Sequence, residues 1–229
     1  MALHFEDGSV AEYRFQSAAE LICARGRMES YRATEIRSGI LFVDFVVSDQ
    51  RASTISLVLD LDRGICTAIE AELPTAAEAN VPLIKRAARS GELSGVKARF
   101  LSGVIDAPFR HGADRHADTV ELIGERIEYT YSRSERYEHV YLNEQFYTWH
   151  CLEGCERGLA DTDHCRYLRV AERLYLFVWR EKIVPTLGAV LVDLEQMKTT
   201  GKIFGYRGFD FGEVVNLPVG AHARFAGAA

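Results

Sequence analysis

The second half of the chain repeats the order of features found in the first half. The segment Gly8–Phe15 (GSVAEYRF) lines up with Gly124–Tyr131 (GERIEYTY), so both carry the pattern G-x-x-x-E-Y-x-(F/Y). Two later motifs, LFV and a run ending in D-L-(D/E), occur at 41–43 and 58–62 in the first half and at 176–178 and 191–195 in the second. Because order and approximate spacing agree, we infer a duplicated β unit of roughly a hundred residues.

Each half has the pattern of a series of short strands. Segments rich in β-branched and aromatic residues alternate with turn residues such as Asp7-Gly8, Ser38-Gly39 and Arg63-Gly64. The pattern predicts strands at 10–15, 19–24, 31–37, 40–47, 53–60, 64–71 and 97–104, then at 126–131, 137–142, 145–152, 165–171, 174–181, 188–194 and 201–206. Many short antiparallel strands at this spacing indicate a barrel or a sandwich in each half.

The remaining segments predict the domain organisation. An alanine-rich stretch at 74–95 predicts one short helix that ends at Gly91, and the polar stretch 106–118 predicts a linker. We therefore expect an N-terminal domain over 1–106 and a C-terminal domain over 119–229. The Gly-rich tail after Tyr206 offers little regular pattern, and no strand is predicted there.

Composition narrows the function classes. A net charge of −6 argues against broad nucleic-acid or anionic-membrane binding, which needs a basic face. No run approaches eighteen apolar residues, and the first residues lack the basic and apolar regions of a signal peptide. Five cysteines cannot all pair within one chain, which suits a reducing cytoplasm. We expect a cytoplasmic protein with no nucleic-acid or membrane partner, and a homodimer is possible.

Aromatic residues are concentrated in the second half, which holds eight of the ten tyrosines and both tryptophans. Strand alternation places them on shared faces: Tyr129 with Tyr131; Tyr137 with His139 and Tyr141; Tyr147 with Trp149 and Cys151; and Tyr175 with Phe177, Trp179 and Glu181. Aromatic core packing explains any single one of these residues. Together they form a tyrosine-rich interior, whose hydroxyls need partners and can meet a ligand.

Two charged residues stand out in this half. On the face of three aromatic rings, the carboxyl of Glu181 would be desolvated, which raises its pKa and lets it act as an acid or base near neutrality. Alternatively, the strand ends at Arg180 and Glu181 lies on the rim, paired with Lys182. Arg157 lies in a turn, where it is either solvated or points into the barrel mouth to bind a carboxylate.

A cluster of possible metal ligands lies in the same half: His150, Cys151, Cys155, Asp161, Asp163, His164 and Cys165. These residue types suit zinc, yet no C-x-x-C or other paired spacing appears, so we expect ordinary strand residues and no metal site. Nucleotide, serine-hydrolase and zincin motifs are also absent from the sequence.

Several stretches resemble the MoaF family over nearly the whole chain. They are ILFVDF at 40–45, SLVLD at 56–60, YTWHCL at 147–152, GLADTD at 158–163, LFVWREK at 176–182 and GKIFGY at 201–206. The resemblance implies two tandem lipocalin-like (calycin) domains, hence an all-β fold of two antiparallel barrels with one short helix between them. The family name refers to molybdenum cofactor biosynthesis.

Residues 124–203 are also similar to the cofactor-free phenolic acid decarboxylases, which are single lipocalin-like barrels. The shared features are the Tyr129-Thr130-Tyr131 strand, the Tyr137-Glu138 pair, the strand from Tyr147 to His150, Arg157 in the next turn, and Trp179-Arg180-Glu181. In those enzymes the tyrosines and the arginine clamp the phenolic acid, and the glutamate transfers a proton. The first half lacks this set, because Phe15 replaces Tyr131 and Asp44-Phe45-Val46 replaces the Trp-x-Glu strand end.

These observations predict a small-molecule-binding protein, a cofactor-free lyase or isomerase that acts on a small aromatic or phenolic acid in the second barrel. The predicted catalytic residues are Glu181, Arg157, Tyr129 and Tyr131, and the predicted ligand-binding residues are Tyr137, Tyr147, Trp149 and Trp179. We expect the second half to hold the more polar and more aromatic cavity. The alternatives are a non-catalytic carrier or sensor with the same pocket, and an accessory protein of molybdenum cofactor biosynthesis.

Overall fold

Two β-barrels account for most of the chain in the computed structural model, which describes residues 1–23, 26–50, 52–208 and 210–227. The contacts of the chain divide it into a first unit, residues 1–73 and 97–116, and a second unit, residues 74–96 and 117–229. The last position of the strand expected at 19–24 lies outside the described residues.

The first unit is a closed antiparallel barrel whose eight strands follow chain order. The strands are β1 (Ala2–Phe5), β2 (Val10–Phe15), β3 (Glu20–Cys23), β4 (Met28–Arg37), β5 (Ile40–Val46), β6 (Ser53–Asp60), β7 (Ile65–Glu72) and β8 (Lys97–Ile105). The barrel closes where β1 pairs with β8, with Leu3 opposite Ile105. Closure leaves no unpaired sheet edge.

The second unit contains another closed barrel, formed by eight strands in chain order. They are β10 (Arg126–Thr130), β11 (Arg136–Tyr141), β12 (Phe146–Glu153), β13 (Ala160–Ala171), β14 (Leu174–Glu181), β15 (Thr186–Asp193), β16 (Lys198–Arg207) and β17 (Asp210–Phe225). Pairing of β10 with β17 closes this barrel, and β9 (Ala117–Asp118) pairs with the C-terminal half of β13 at Leu168 and Arg169. The all-β architecture of two tandem barrels is confirmed.

Two short helices replace the single one expected between 74 and 95: α1 (Ala76–Ala79) and α2 (Leu83–Ser90). The side chains of Thr75 and Glu78 form a capping box that starts α1. Proline at position 82 separates the two helices, because its ring cannot continue a helix through that point. Gly91 ends α2 in the left-handed conformation (φ 71°), as expected.

The prediction of an irregular tail after Tyr206 was wrong, since β17 runs for 16 residues and is the longest strand. Its first part pairs with β16 alone, His222 pairs with both β16 and β10, and residues 223–225 pair with β10. Pro218 lies in the part that has one neighbour, where a missing backbone N–H is tolerated. The strand therefore formed despite its glycines and proline, because two open strand edges were available to it.

One motif repeated between the two halves, the run ending in D-L-(D/E), forms the same kind of turn in both barrels. Asp60 ends β6 and accepts the backbone N–H of Arg63 at 3.0 Å. The equivalent Asp193 ends β15 and accepts the N–H groups of Glu195 and Gln196 at 2.9 and 2.8 Å. Each aspartate is buried and satisfies the donors of the following hairpin turn. The repeated aspartate is therefore explained by the need of both barrels for a buried acceptor at this hairpin turn.

No helix in the described part of the chain is both long and apolar enough to cross a bilayer.

Candidate functional site

A cavity of about 280 Å³ opens into the second barrel. This volume is just below those usual for ligand sites, which are about 300–1,000 Å³, so the cavity suits a small ligand with one ring. Its walls come from the inward face of several strands and from two turns: Tyr131, Glu135, Tyr137, His139, Tyr147, Trp149, Glu156, Trp179, Glu181, Ile203 and Val219. Six of the eight predicted site residues lie in this lining.

Glu181 is the last residue of β14, and its carboxyl faces the cavity. The pKa of this carboxyl is raised from an ordinary value of 4.5 to about 7, and burial is the main cause. The nearby negative charges of Asp163 and Glu156 also raise the pKa. A hydrogen bond from the indole Nε1 of Trp179 (3.1 Å) acts in the opposite direction and lowers it. The backbone carbonyl of Glu181 accepts a hydrogen bond from Ser94 at 2.8 Å, so the segment before β8 also fixes this strand end.

The position of Trp179 depends on a glycine in the neighbouring strand. Gly188 of β15 lies directly opposite Trp179 in the antiparallel register. A Cβ at position 188 would lie 2.1 Å from two atoms of the indole ring, a distance no side chain can occupy. The indole therefore covers the bare backbone of Gly188, and this holds its N–H toward Glu181.

The second tryptophan is also held by a carboxylate. Trp149 of β12 donates its indole N–H to Asp163 Oδ2 at 3.0 Å. The other oxygen of this buried aspartate accepts the backbone N–H of Lys182 at 3.1 Å. Burial raises the pKa of Asp163, and the Lys182 ammonium, 3.6 Å from Oδ1, opposes that effect. Asp163 thus links β12, β13 and the turn after β14 on one side of the cavity.

Behind the cavity lining, two buried tyrosines pack against His139. Tyr129 and Tyr141 share a hydroxyl–hydroxyl hydrogen bond of 2.6 Å and are almost fully buried. Desolvation raises the pKa of both phenols. Tyr129 was predicted to be catalytic; its ring packs against His139, with centroids 4.7 Å apart, and it is not among the residues that line the cavity.

The mouth of the cavity carries two more carboxylates. Tyr137 donates its hydroxyl to Glu156 Oε2 at 3.0 Å, and its ring packs edge-on against Tyr131 with centroids 5.9 Å apart. Glu135 lies over Gly154, where a Cβ would be 2.1 Å from Glu135 Oε2. Gly154 has φ +139°, so both its backbone conformation and its close approach to Glu135 require glycine.

Comparison with known proteins identifies the family. A model described as the MoaF N-terminal domain matches residues 1–75, and one described as the MoaF C-terminal domain matches residues 116–229. A curated protein from Klebsiella aerogenes, Protein MoaF, is 48% identical over 199 residues, covering 87% of this chain and 74% of the relative. The chain belongs to the MoaF family.

The cavity thus lies in the part of the chain that matches the MoaF C-terminal domain. Among solved structures, one described as a "putative beta-lactamase" from Burkholderia vietnamiensis is similar with a TM-score of 0.39 and 11% identity. The match covers 46% of this chain and 95% of that one. Similarity at this level carries no functional argument.

A second predicted site residue also lies outside the cavity lining. Arg157 is exposed in the turn between β12 and β13, and it is not among the residues that line the cavity. Its neighbour Glu156 lines the mouth instead. The prediction that this turn lies at the cavity agrees with the position of Glu156. Strand alternation, however, does not give the direction of side chains within a turn, so it could not tell Glu156 from Arg157.

Five lining residues were missed as site residues: the ionisable His139, Glu135 and Glu156, and the apolar Ile203 and Val219. His139 was placed on the inward face by alternation, whereas Glu135 lies in the turn before β11, where strand alternation gives no direction. The imidazole of His139 is only 5% exposed, and its Nδ1 has no hydrogen-bond partner among the residues the structure describes. Burial lowers the pKa of His139 to about 3, so the ring is neutral at physiological pH.

The first unit has two hollows, of about 670 and 370 Å³, both larger than the cavity of the second unit. Two aromatic residues, Tyr13 and Phe15, line the larger hollow, together with charged residues such as Glu12 and Arg14. The prediction that the second unit holds the more aromatic cavity is confirmed. The prediction that it is also the more polar was wrong, because its aromatic rings leave mainly apolar surface.

The cluster of possible metal ligands is dispersed. Cys151 is buried inside the barrel, whereas Cys165 donates to the Tyr167 hydroxyl at 2.8 Å. His164 lies 3.2 Å from a carboxylate oxygen of Glu92. In the described part of the chain, no three or more His, Cys, Asp or Glu side chains are grouped to hold a metal ion.

Proposed function

We propose that the second barrel binds a small aromatic molecule in its cavity and that Glu181 transfers a proton to or from it. The observation that carries this proposal is the position of the Glu181 carboxyl, which faces an aromatic cavity beside Trp179 and has a pKa of about 7. At neutral pH both protonation states are populated, so the same group can accept a proton and return it.

The walls fit a planar ligand. Tyr131, Tyr137, Tyr147, Trp149 and Trp179 all line a space of about 280 Å³. Aromatic rings favour offset or edge-to-face contacts with another ring, and contacts of this kind contribute about 0.5–1.5 kcal/mol each beyond area burial. A single-ring ligand would contact several of these walls at once and lie next to Glu181.

The chemistry available from these residues is acid–base catalysis. The Glu181 carboxylate can remove a proton from the ligand, becoming neutral, and the carboxylic acid can return that proton to a different atom. An isomerisation results when the proton returns to the same molecule. A lyase reaction results when proton transfer accompanies loss of a leaving group.

Proton transfer can be tested without knowing the reaction. The protein would be incubated in D₂O with single-ring phenols, aryl acids, aryl amines and a pterin, and NMR would detect deuterium entering carbon positions. We expect exchange for at least one ligand that also quenches Trp149 and Trp179, and a loss of about 10²–10⁴-fold in the exchange rate with Glu181→Gln. Glu144→Gln, an exposed glutamate in the turn between β11 and β12, is the matched control.

The outcomes separate the alternatives. Quenching without exchange by any ligand contradicts the catalytic part and supports a carrier or sensor. Quenching by the pterin alone supports an accessory role in molybdenum cofactor biosynthesis. If exchange continues unchanged in Glu181→Gln, another group moves the proton.

A further inference from the structure

The charges around the cavity are of one sign. Among the described residues that line it, Glu135, Glu156 and Glu181 are carboxylates and none is lysine or arginine. Arg157, the residue expected to neutralise an anionic ligand, lies in the exposed turn outside the lining. A carboxylate ligand would therefore enter next to like charges, which disfavours binding.

The layer behind the lining does not reverse this sign. Asp163 and Asp161 lie close enough to Glu181 to raise its pKa, and the Lys182 ammonium lies between the two aspartates. One cation among these carboxylates leaves the surroundings of the cavity negative. Such a field attracts a positively charged ligand and raises its local concentration.

The aromatic walls favour the same charge. Carboxylates occupy the indole N–H groups of both tryptophans, Asp163 for Trp149 and Glu181 for Trp179. With those donors occupied, the tryptophans offer a ligand their π-surface. The faces of tryptophan and tyrosine rings attract ammonium groups, and the attraction is stronger where water is excluded.

The lining also contains an unsatisfied polar atom. His139 is 5% exposed, lines the cavity, and has a buried Nδ1 without a partner among the described residues. A buried polar atom without a partner costs free energy, and a polar group of a ligand, a donor or an acceptor according to the tautomer of His139, would remove that cost. The cavity therefore offers carboxylates for a cation and a buried nitrogen for a second polar group.

We propose that the ligand of this cavity is an organic cation, a small single-ring amine whose ammonium group lies among Glu135, Glu156 and Glu181 and whose ring packs against Trp149 and Trp179. This inference rests on the proposed function, because it takes the same cavity as the binding site. It narrows the ligand from any small aromatic molecule to an aromatic amine, in place of the aromatic acid expected from the sequence.

Isothermal titration calorimetry at pH 7 with three probes of similar shape tests the charge. The probes are 2-phenylethylamine (cation), 2-phenylethanol (neutral) and phenylacetate (anion). We expect the amine to bind at least about tenfold more tightly than the alcohol, and phenylacetate to bind most weakly. Added salt should weaken amine binding and leave the alcohol unaffected.

Proton release gives a second readout that needs no variant. A bound ammonium group lowers the pKa of Glu181, so the half of the molecules that are protonated near pH 7 lose that proton. Titrations in buffers of different ionisation enthalpy should show up to about half a proton released per amine bound. The titratable and charged groups around Glu181 are Tyr131, Glu135, Tyr137, His139, Tyr147, Glu156, Asp161, Asp163 and Lys182.

A variant pair completes the test. Glu156→Gln should weaken amine binding several-fold with little change for 2-phenylethanol, and Glu144→Gln should change neither. The cation proposal is overturned if the alcohol or phenylacetate binds as tightly as the amine, or if amine binding takes up a proton. Either of these results leaves the proposed function intact, because it does not depend on the charge of the ligand. If none of the three probes binds, the cation proposal also fails, whereas the proposed function fails only if no ligand of the wider panel quenches Trp149 and Trp179 or exchanges deuterium.

Discussion

Replacing Glu181 with glutamine should stabilise the second barrel at high pH. Glutamine has the same shape and can still accept the indole N–H of Trp179 through its carbonyl oxygen. The pKa of Glu181 is about 7 in the folded protein against an ordinary value of 4.5. The folded state thus binds the proton more tightly than the unfolded state, and the free energy of unfolding must fall as the pH rises from 4.5 to 7.

The magnitude follows from these two values. Each pH unit between them changes the free energy of unfolding by about 1.36 kcal/mol, so the total loss is roughly 3 kcal/mol. Below pH 4.5 the carboxyl is neutral in both states, and the wild type and the Glu181→Gln variant should be similar. Above pH 7 the variant should be more stable by roughly 3 kcal/mol, with the difference constant at higher pH.

Urea unfolding between pH 4.5 and 8.5, followed by tryptophan fluorescence, measures this difference. Both tryptophans belong to the second unit, so their signal reports on that unit alone. Glu144→Gln should show no such pH-dependent gain. If the difference between the wild type and Glu181→Gln stays constant from pH 4.5 to 8.5, burial does not raise the pKa of Glu181, and the argument for its acid–base role is refuted.

Three further predictions concern other parts of the fold. Gly188→Ala should destabilise the second unit by about 1–3 kcal/mol through its clash with the indole of Trp179, and Trp179→Leu in the same chain should recover part of that loss in urea unfolding. The pKa of His139 is about 3 in the folded protein against an ordinary value of 6.5, so the wild type loses free energy of unfolding as the pH falls below 6.5. His139→Phe lacks this group, and its free energy of unfolding should fall by roughly 2 kcal/mol less than that of the wild type between pH 6.5 and 5 in the same urea titrations. Asp193→Ala should cost about 1–3 kcal/mol because two backbone N–H groups lose their acceptor, and Asp60→Ala should cost a similar amount because it removes one backbone acceptor and the 3.4 Å ion pair with Arg63; thermal unfolding by calorimetry measures both.

The repeat and the strand alternation could be predicted because both depend on local patterns. Period-two alternation placed Tyr137, Tyr147 and Trp149 on the inward face, and it put Glu181 beside Trp179. Alternation fixes the face of a strand on which a side chain lies, so it works wherever the strand bounds are right. It could not place Arg157, which lies in a turn.

Features that depend on distant parts of the chain could not be predicted. The Ser94 hydroxyl bonds the carbonyl of Glu181, 87 residues later, and no local signal connects them. The segment of β17 around Pro218 has a weak strand pattern, and its conformation comes from pairing with β16. The close approach of Trp179 to Gly188 likewise depends on the register between two strands.

The late position of β17 affects how the protein is made on the ribosome. The first barrel has all eight of its strands once residue 105 has left the exit tunnel, so it can fold while synthesis continues. The second barrel cannot close until Arg224 is available to pair with Glu128, 96 residues earlier. Until then β10 and β16 expose unpaired edges in the nascent chain, the condition under which chaperones bind and aggregation begins. Codon usage and pausing over the last strand should therefore affect the yield of this protein more than the same changes within the first barrel.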